Sequence, residues 1–173
     1  MEEQQFFKNF MLGVTEGEVL LETRAMNIAA IHKFATSAVN YLKIISRTLD
    51  HQVYDQLNII DALSEFARRN RHSCVEILVY DCTEIVRSGH RLIHLAEKMS
   101  SKINIRKLPA HMSQFNESLV IADNNGYIHN PQSDRYEGIA SFNDPTRCTE
   151  LNKIFSDMWN HGEVEPYLRS VSR

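Results

Sequence analysis

Long apolar runs, basic leader segments and paired cysteines are all lacking in this sequence. Apolar stretches such as EILVYD and SLVIAD are far shorter than the ~20 residues that a membrane span needs, so no transmembrane helix is expected. The segment MEEQQFFKNF opens with acidic residues, which is not typical of a secretory signal. Cys74, Cys82 and Cys148 are odd in number and lack C-x-x-C spacing, which favours reduced thiols. These absences predict a cytoplasmic protein.

The motifs of the common enzyme classes are also missing. No P-loop, G-x-G-x-x-G, G-x-S-x-G or paired C-x-x-C pattern occurs. No cofactor and no metal is therefore expected. Because the 173 residues contain no repeat and no Pro/Gly-rich linker, we expect a single domain over residues 1–173.

Strand and helix patterns alternate as far as residue 107, and a run of strands and a last helix follow. The apolar stretch at residues 75–81 is typical of a strand buried on both faces. Asn125-Gly126 between apolar runs is a hairpin signal, and Asp144-Pro145 fits a helix start. This order predicts an α/β fold with a mixed, mostly parallel sheet flanked by helices on both faces. In such a sheet ligands bind beyond the carboxyl ends of the strands.

Positive charge is concentrated in the middle of the chain. Residues 66–107 contain nine Lys or Arg and four acidic residues, a net charge of +5, so the remainder carries −8. Such a stretch is consistent with an anion-binding face. It is equally the pattern of solvated helix faces and strand ends.

The segment FNESLVIADNNGYIHNP, with the elements around it, resembles one repeat of the phospholipase D superfamily over roughly residues 40–160. In active members the first hairpin strand carries H-x-K-x-x-x-x-D, in which His is the nucleophile, Lys binds the phosphate and Asp supports the frame. Counting back from Asp123 places Ser118 at the Lys position and Asn116 at the His position. The resemblance therefore implies a degenerate half-unit without its catalytic groups.

Two further residues of this segment have alternative interpretations. Asp123 keeps the position of the family's Asp, and it is also a typical turn residue before Asn-Asn-Gly. His129, near the family's Gly-Ser position, could replace the missing nucleophile from the neighbouring strand. Active members need two half-units, so the resemblance also implies a homodimer.

The whole chain is similar to a group of uncharacterised bacterial proteins built on this half-unit, some of which follow an N-acetyltransferase domain. The similar residues are LD at 49–50, RRNRHS at 68–73, GHRL at 89–92 and DRYEG at 134–138. No acetyltransferase signature is present, so the resemblance implies a stand-alone version. Within the single expected domain, the resemblance implies an N-terminal edge element and helix at 1–39, a phospholipase D-like unit at 40–160 and a tail at 161–173.

The candidate ligand-binding residues come from these four stretches, from the end of the strand at residues 75–81 and from the hairpin segment at residues 115–131. Arginine forms bidentate contacts with phosphate, and Tyr136 could stack on a ring if DRYEG lies beside RRNR. The alternative is that these charges stabilise helix ends and strand pairs. The full set is Asp50, Arg68, Arg69, Arg71, His72, Asp81, His90, Arg91, Asn116, Ser118, Asp123, His129, Arg135, Tyr136 and Glu137.

The stretch GHRLIH contains two features of helical spacing. His90 and His94 are four residues apart, but Arg91 stands where a zinc protease has Glu, so structural roles are favoured over a metal site. Gly89 within a predicted helix costs about 1 kcal/mol relative to Ala. A packing reason is expected for it, such as close approach to the sheet or to a partner chain.

Three functions follow from the sequence. The favoured one is a non-catalytic module that binds an anionic ligand, such as a nucleotide, an RNA segment or an acidic protein surface, in a regulatory or adaptor role. The second is a homodimeric phosphodiesterase or nuclease with an atypical active site. The third is a protein–protein adaptor, and no membrane partner is expected.

Overall fold

The computed structural model describes residues 2–112 and 114–168, apart from the side chain of Tyr167. Its centre is a seven-stranded sheet with the order β1-β7-β6-β5-β2-β3-β4. The strands are β1 (Glu18–Leu21), β2 (Tyr41–Ser46), β3 (Cys74–Val79), β4 (Ile103–Lys107), β5 (Ser118–Ala122), β6 (Gly126–Asn130) and β7 (Gly138–Ser141).

The sheet is mixed, as the sequence predicts. Its parallel pairs are β2 with β3 and β3 with β4, while β1–β7, β7–β6, β6–β5 and β5–β2 are antiparallel. Most neighbouring pairs are therefore antiparallel, although β1, β2, β3, β4 and β6 point the same way. The successive strands from β2 to β4 are joined by helical crossovers and lie side by side, which makes them parallel neighbours. Helix α2 makes a further crossover from β1 to β2, but these two strands are not neighbours in the sheet.

Helices cover both faces of the sheet, which confirms the predicted layers. The helices are α1 (Glu2–Phe6), α2 (Arg24–Ser37), α3 (His51–Tyr54), α4 (Leu57–Arg69), α5 (Thr83–Ser88), α6 (Arg91–Lys98) and α7 (Pro145–His161), with 3-10 turns at Ala110–Met112 and Pro166–Leu168. One core cluster joins α2, α4 and α6 to one face of the sheet. A smaller cluster joins α7 to the other. We call these the α2 face and the α7 face.

Local sequence signals set the ends of the long helices. The Thr23 hydroxyl accepts a hydrogen bond from Met26 N at 3.2 Å, and the Asp144 carboxylate accepts one from Arg147 N at 3.0 Å, with Pro145 in the first turn. These are N-caps of the usual kind. In the described part of the chain no helix combines the length and apolarity needed to cross a bilayer.

Gly89 has a different role from the one its sequence position suggests. It ends α5 with a φ of 71°, and α6 begins two residues later, so the predicted single helix is two helices. A Cβ on Gly89 would meet no atom within 4 Å. The expected close approach to the sheet is therefore wrong, because the residue is needed for its positive φ; close approach to a partner chain stays a prediction.

The direction of the strands defines two edges of the sheet. We call the edge where β2, β3 and β4 end the carboxyl edge, and the edge where they begin the amino edge. A six-residue strand separates the two edges by about 20 Å. Since α2, α4 and α6 run back against the strands, each of these helices begins at the carboxyl edge and ends at the amino edge.

Candidate functional site

The start of β5 lies at the carboxyl edge, because β5 runs antiparallel to β2. Asn116 and Ser118 are therefore placed beside the end of β2, where Arg47 follows the last strand residue. This is the edge that the sequence predicts for ligand binding. Asn116 and Arg47 are exposed and Ser118 is half-buried.

A small hydrogen-bond network fixes Asn116. Its Oδ1 accepts from Arg47 Nη1 at 2.8 Å and from Ser133 Oγ at 2.7 Å, and Ser133 N donates to Asn116 O at 2.8 Å. The structure describes no protein acceptor for Asn116 Nδ2, and Asn116 is the only bonded partner it describes for the Arg47 guanidinium. The network thus holds an arginine and an amide donor at the carboxyl edge, just before β5 begins.

Neutral polar groups line the α2 face beside this network. Asn130 pairs with Ser118 across the β5–β6 ladder, and both lie on the α2 face because neighbouring side chains alternate. The buried Asn130 Nδ2 donates to Asn27 Oδ1 at 3.0 Å and to Tyr136 O at 3.1 Å. Asn27 Nδ2 also donates to Tyr136 O, at 2.7 Å. These bonds hold the DRYEG loop against the carboxyl edge.

Asp50 and Tyr136 form the rim of the same region. Tyr136 Oη donates to Asp50 Oδ2 at 2.9 Å, while Asp50 Oδ1 accepts from Gln52 N at 2.9 Å and caps α3. Burial and the bond to Asp50 raise the pKa of Tyr136 above its ordinary value, so the phenol remains a donor. Arg135 and Glu137 flank Tyr136 as exposed side chains.

His129 faces away from this region. It is two residues after Tyr127, which packs with α7, so its side chain lies on the α7 face, opposite that of Ser118. There its Nε2 lies 2.9 Å from Glu117 Oε2. The interpretation of His129 as a replacement nucleophile at the Asn116 position does not fit this geometry.

Asp123 lies at the amino edge and not at the candidate site. It is 7% exposed with a φ of 53°, and its carboxylate accepts hydrogen bonds from the backbone N–H groups of Val39, Asn40 and Tyr41 at 2.8 to 3.0 Å. Its acceptor sites are occupied by the chain before β2. The structural interpretation of Asp123 accounts for all of these contacts.

The RRNR segment also lies at the amino edge, where α4 ends and β3 begins. Arg69 donates to the carbonyl oxygens of Ala38 and Ala35 at the end of α2, whereas Arg68, Arg71 and His72 are exposed. The DRYEG loop lies at the other edge, so the structure does not form the shared pocket that these two segments could have made. The sequence alone could not show whether the RRNR and DRYEG segments lie at the same edge of the sheet or at opposite edges.

Three other candidates at the carboxyl edge have structural partners. Hydrogen bonds from Thr83 hold the pKa of Asp81 below its ordinary value. Arg91 contacts the Asp55 carboxylate at 3.4 Å, and the buried His90 caps α6 by accepting from Leu92 N at 3.1 Å. His90 therefore precedes the helix that carries His94, and the predicted i, i+4 pair is not formed. Among the described residues no cluster of metal-ligating side chains occurs.

Sequence analysis missed Arg47, Ser133, Asn27 and Asn130. The sequence contained one signal for Arg47, because this residue directly follows a strand that ends at the predicted ligand-binding edge. The other three are linked to the site by contacts that cross 17, 103 and 109 residues of chain. A separate groove of about 820 Å³ lies along β4 between Ala96 and Trp159 and contains none of these residues.

Comparisons with known proteins agree with this fold. A family model described as a domain of unknown function, DUF7931, matches residues 23–171. The sequence has no match among curated proteins.

Solved structures with a similar fold include a phospholipase D family member, Nuc from Salmonella typhimurium, with a TM-score of 0.58 and 16% identity over 85% of this chain and 97% of that one. NucT from Helicobacter pylori has a TM-score of 0.61 and 13% identity, and the match covers 87% of this chain and 100% of NucT. TrmBL2, an archaeal chromatin protein with a described mode of DNA binding, has a TM-score of 0.63 and 14% identity over 94% of this chain. The chain spans 60% of the length of TrmBL2. These likenesses show a phospholipase D-like fold.

Proposed function

The chain belongs to the family described as a domain of unknown function (DUF7931), and from this premise and its phospholipase D-like fold we propose a non-catalytic ligand-binding module. Its ligand is a phosphate group of a nucleotide or of a nucleic-acid segment. Binding occurs at the carboxyl edge, beside Arg47 and Asn116. The role is regulatory or that of an adaptor, not hydrolysis.

One observation carries this proposal: an arginine–asparagine network lies at the carboxyl edge, where the phospholipase D resemblance places the nucleophile. Amide and hydroxyl groups cannot attack a phosphodiester as an imidazole can, so Asn116 and Ser118 supply no chemistry. Arg47 keeps guanidinium N–H groups for a ligand, and it uses one N–H to hold Asn116. A planar guanidinium matches the geometry of phosphate oxygens.

The rest of the site favours a nucleotide or nucleic acid over a free phosphate ion. The buried amides of Asn27 and Asn130 bond each other and Tyr136 O, so they hold the half-buried ring of Tyr136 at the rim. An aromatic ring in this position can stack on a base. That TrmBL2 is a DNA-binding chromatin protein on this fold is consistent with a nucleic-acid ligand.

The proposal is tested by fluorescence polarisation with a 5′-labelled dinucleotide. Arg47→Ala removes a charged hydrogen-bond donor, worth about 1.5 to 3 kcal/mol, so we expect affinity to fall between tenfold and a hundredfold. Arg87→Ala is the matched control, because Arg87 is an exposed arginine outside the network that is already paired with Glu84 at 2.9 Å. Equal affinity of Arg47→Ala and the unaltered protein would contradict the proposal.

A further inference from the structure

A second group of cations lies at the amino edge, about one strand length from the candidate site. Arg68 is in the last turn of α4, Arg71 is in the turn before β3, Lys98 ends α6 and Lys102 directly precedes β4. We call these four residues the basic edge. The packing of α4 beside α6 brings the two helix ends next to each other.

The basic edge has no direct acidic partner. None of its four residues has a carboxylate within 4.0 Å in the described part of the chain. Arg68 bonds only within its own helix, to Ser64, and Lys102 donates to Asn70 O at 2.8 Å. No direct ion pair therefore compensates these four charges.

Some arginines elsewhere are ion-paired. Arg87, Arg91 and Arg147 contact Glu84, Asp55 and Glu150 at 2.9, 3.4 and 2.9 Å. Near the basic edge, Glu97 is instead directed to His94, at 3.7 Å. The basic edge thus gathers four cations without a direct ion pair at one edge of the sheet, in a chain whose formal charge is −3.

Arg69 does not belong to this surface, although it lies between two of its members in sequence. Its guanidinium donates to the carbonyls of Ala38 and Ala35 and lies 5.7 Å from the centre of the Phe66 ring. Arg69 therefore joins the ends of α2 and α4. It serves the fold, and it provides a stability control.

We propose that the basic edge binds the phosphate backbone of double-stranded nucleic acid without reading its sequence. Its cations form a row across two helix ends and a strand start, which fits a linear polyanion better than a single phosphate. No exposed aromatic side chain occurs on this surface among the described residues, so it has no platform for base stacking. A duplex, which has the higher charge density, is therefore preferred over a single strand.

This surface is separate from the site at the carboxyl edge. The length of β2 places the two about 20 Å apart. Loss of one site should leave the other intact, so the failure of either proposal is distinguishable from the failure of the other.

The test is polarisation with a labelled 20-base-pair duplex at several salt concentrations. In Arg68→Ala/Arg71→Ala we expect the slope of log affinity against log salt to fall by about 1.8, at about 0.9 for each phosphate contact. The melting temperature should not change, whereas Arg69→Ala should lower it. Dinucleotide binding should also be unaffected by the double substitution.

Arg87→Ala/Arg147→Ala is the matched control, because it removes the same charge from ion-paired positions. If the slope of log affinity against log salt falls equally in this control, the effect comes from net charge alone and the proposal is overturned. Absence of duplex binding would also overturn it. The protein could instead bind poly-glutamate more tightly than duplex and lose that binding in Arg68→Ala/Arg71→Ala. This result would overturn the proposal and indicate that the surface binds an acidic protein.

Discussion

Asn116, Ser118 and Asp123, the three positions that the phospholipase D resemblance aligns with the H-x-K-x-x-x-x-D pattern, lie at different places in the structure. Asn116 and Ser118 stand at the carboxyl edge, where a change of side chain alters chemistry and leaves the backbone ladder of β5 intact. Asp123 instead satisfies three backbone N–H groups at the amino edge. A buried donor left without a partner costs about 1 to 3 kcal/mol. The fold therefore requires Asp123 regardless of catalysis.

Asp123→Ala should destabilise the protein without changing ligand binding. We expect the free energy of unfolding in urea to fall by about 3 kcal/mol or more, because three donors lose their acceptor and alanine is strained at a φ of 53°. Asp123→Asn should lose less, because asparagine tolerates this backbone and keeps one acceptor oxygen. A loss below about 1 kcal/mol in Asp123→Ala would contradict this role.

Residue roles that depend on near neighbours were predictable from sequence, and those that depend on distant contacts were not. Thr23 and Asp144 cap their helices as predicted, since an N-cap involves residues within three positions. The bond between Arg47 and Asn116 joins positions 69 apart. The positive φ of Leu49 is likewise fixed by distant packing, because its carbonyl accepts from His90 Nε2 at 2.9 Å.

At the scale of secondary structure, the break between α5 and α6 determines how the crossover from β3 to β4 is held. Gly89 turns the chain, and His90 accepts from Leu92 N while its other ring nitrogen bonds Leu49 O. Both bonds require a neutral ring with one donor and one acceptor nitrogen. Burial lowers the pKa of His90 to about 4, which keeps the ring neutral in the folded state.

His90 should make the protein less stable in mild acid. Its pKa is about 6.5 in the unfolded chain and about 4 in the folded one, so its contribution is complete above pH 6.5 and is lost as the pH falls toward 4. Between pH 7 and pH 5 this amounts to about 2 kcal/mol. His90→Asn should remove that part of the pH dependence, measured by urea unfolding at both pH values. An unchanged dependence would contradict the assignment.

The order of elements was predictable because hydrophobic patterns and turn residues are local. The hairpin of β5 and β6, the edge strand β1 and the helices on both faces were predicted correctly. The split of α5 from α6 was not, since six-residue and eight-residue helices in succession have nearly the pattern of one helix. Nor did the sequence show that RRNR and DRYEG lie at opposite edges, because this depends on the direction of each strand.

At the scale of the whole molecule, the sheet separates two surfaces of different character. The carboxyl edge holds the polar site of Arg47 and the Arg91–Asp55 ion pair, and the amino edge carries four cations that have no carboxylate within 4.0 Å among the described residues. A phospholipase D-like fold thus retains its ligand-binding edge in a non-catalytic form, according to the proposed function. The basic edge adds an independent electrostatic surface.

The most direct test of the central claim, phosphate binding without hydrolysis, is phosphorus NMR of a 5′-phosphorylated dinucleotide incubated with the protein. We predict that the phosphodiester resonance shifts on addition of protein, that it does not shift with Arg47→Ala, and that no product resonance forms over many hours. Appearance of product signals would contradict the claim, and their loss in His129→Ala would identify an enzyme that uses the α7 face. A shift that persists unchanged in Arg47→Ala would show that the phosphate binds elsewhere.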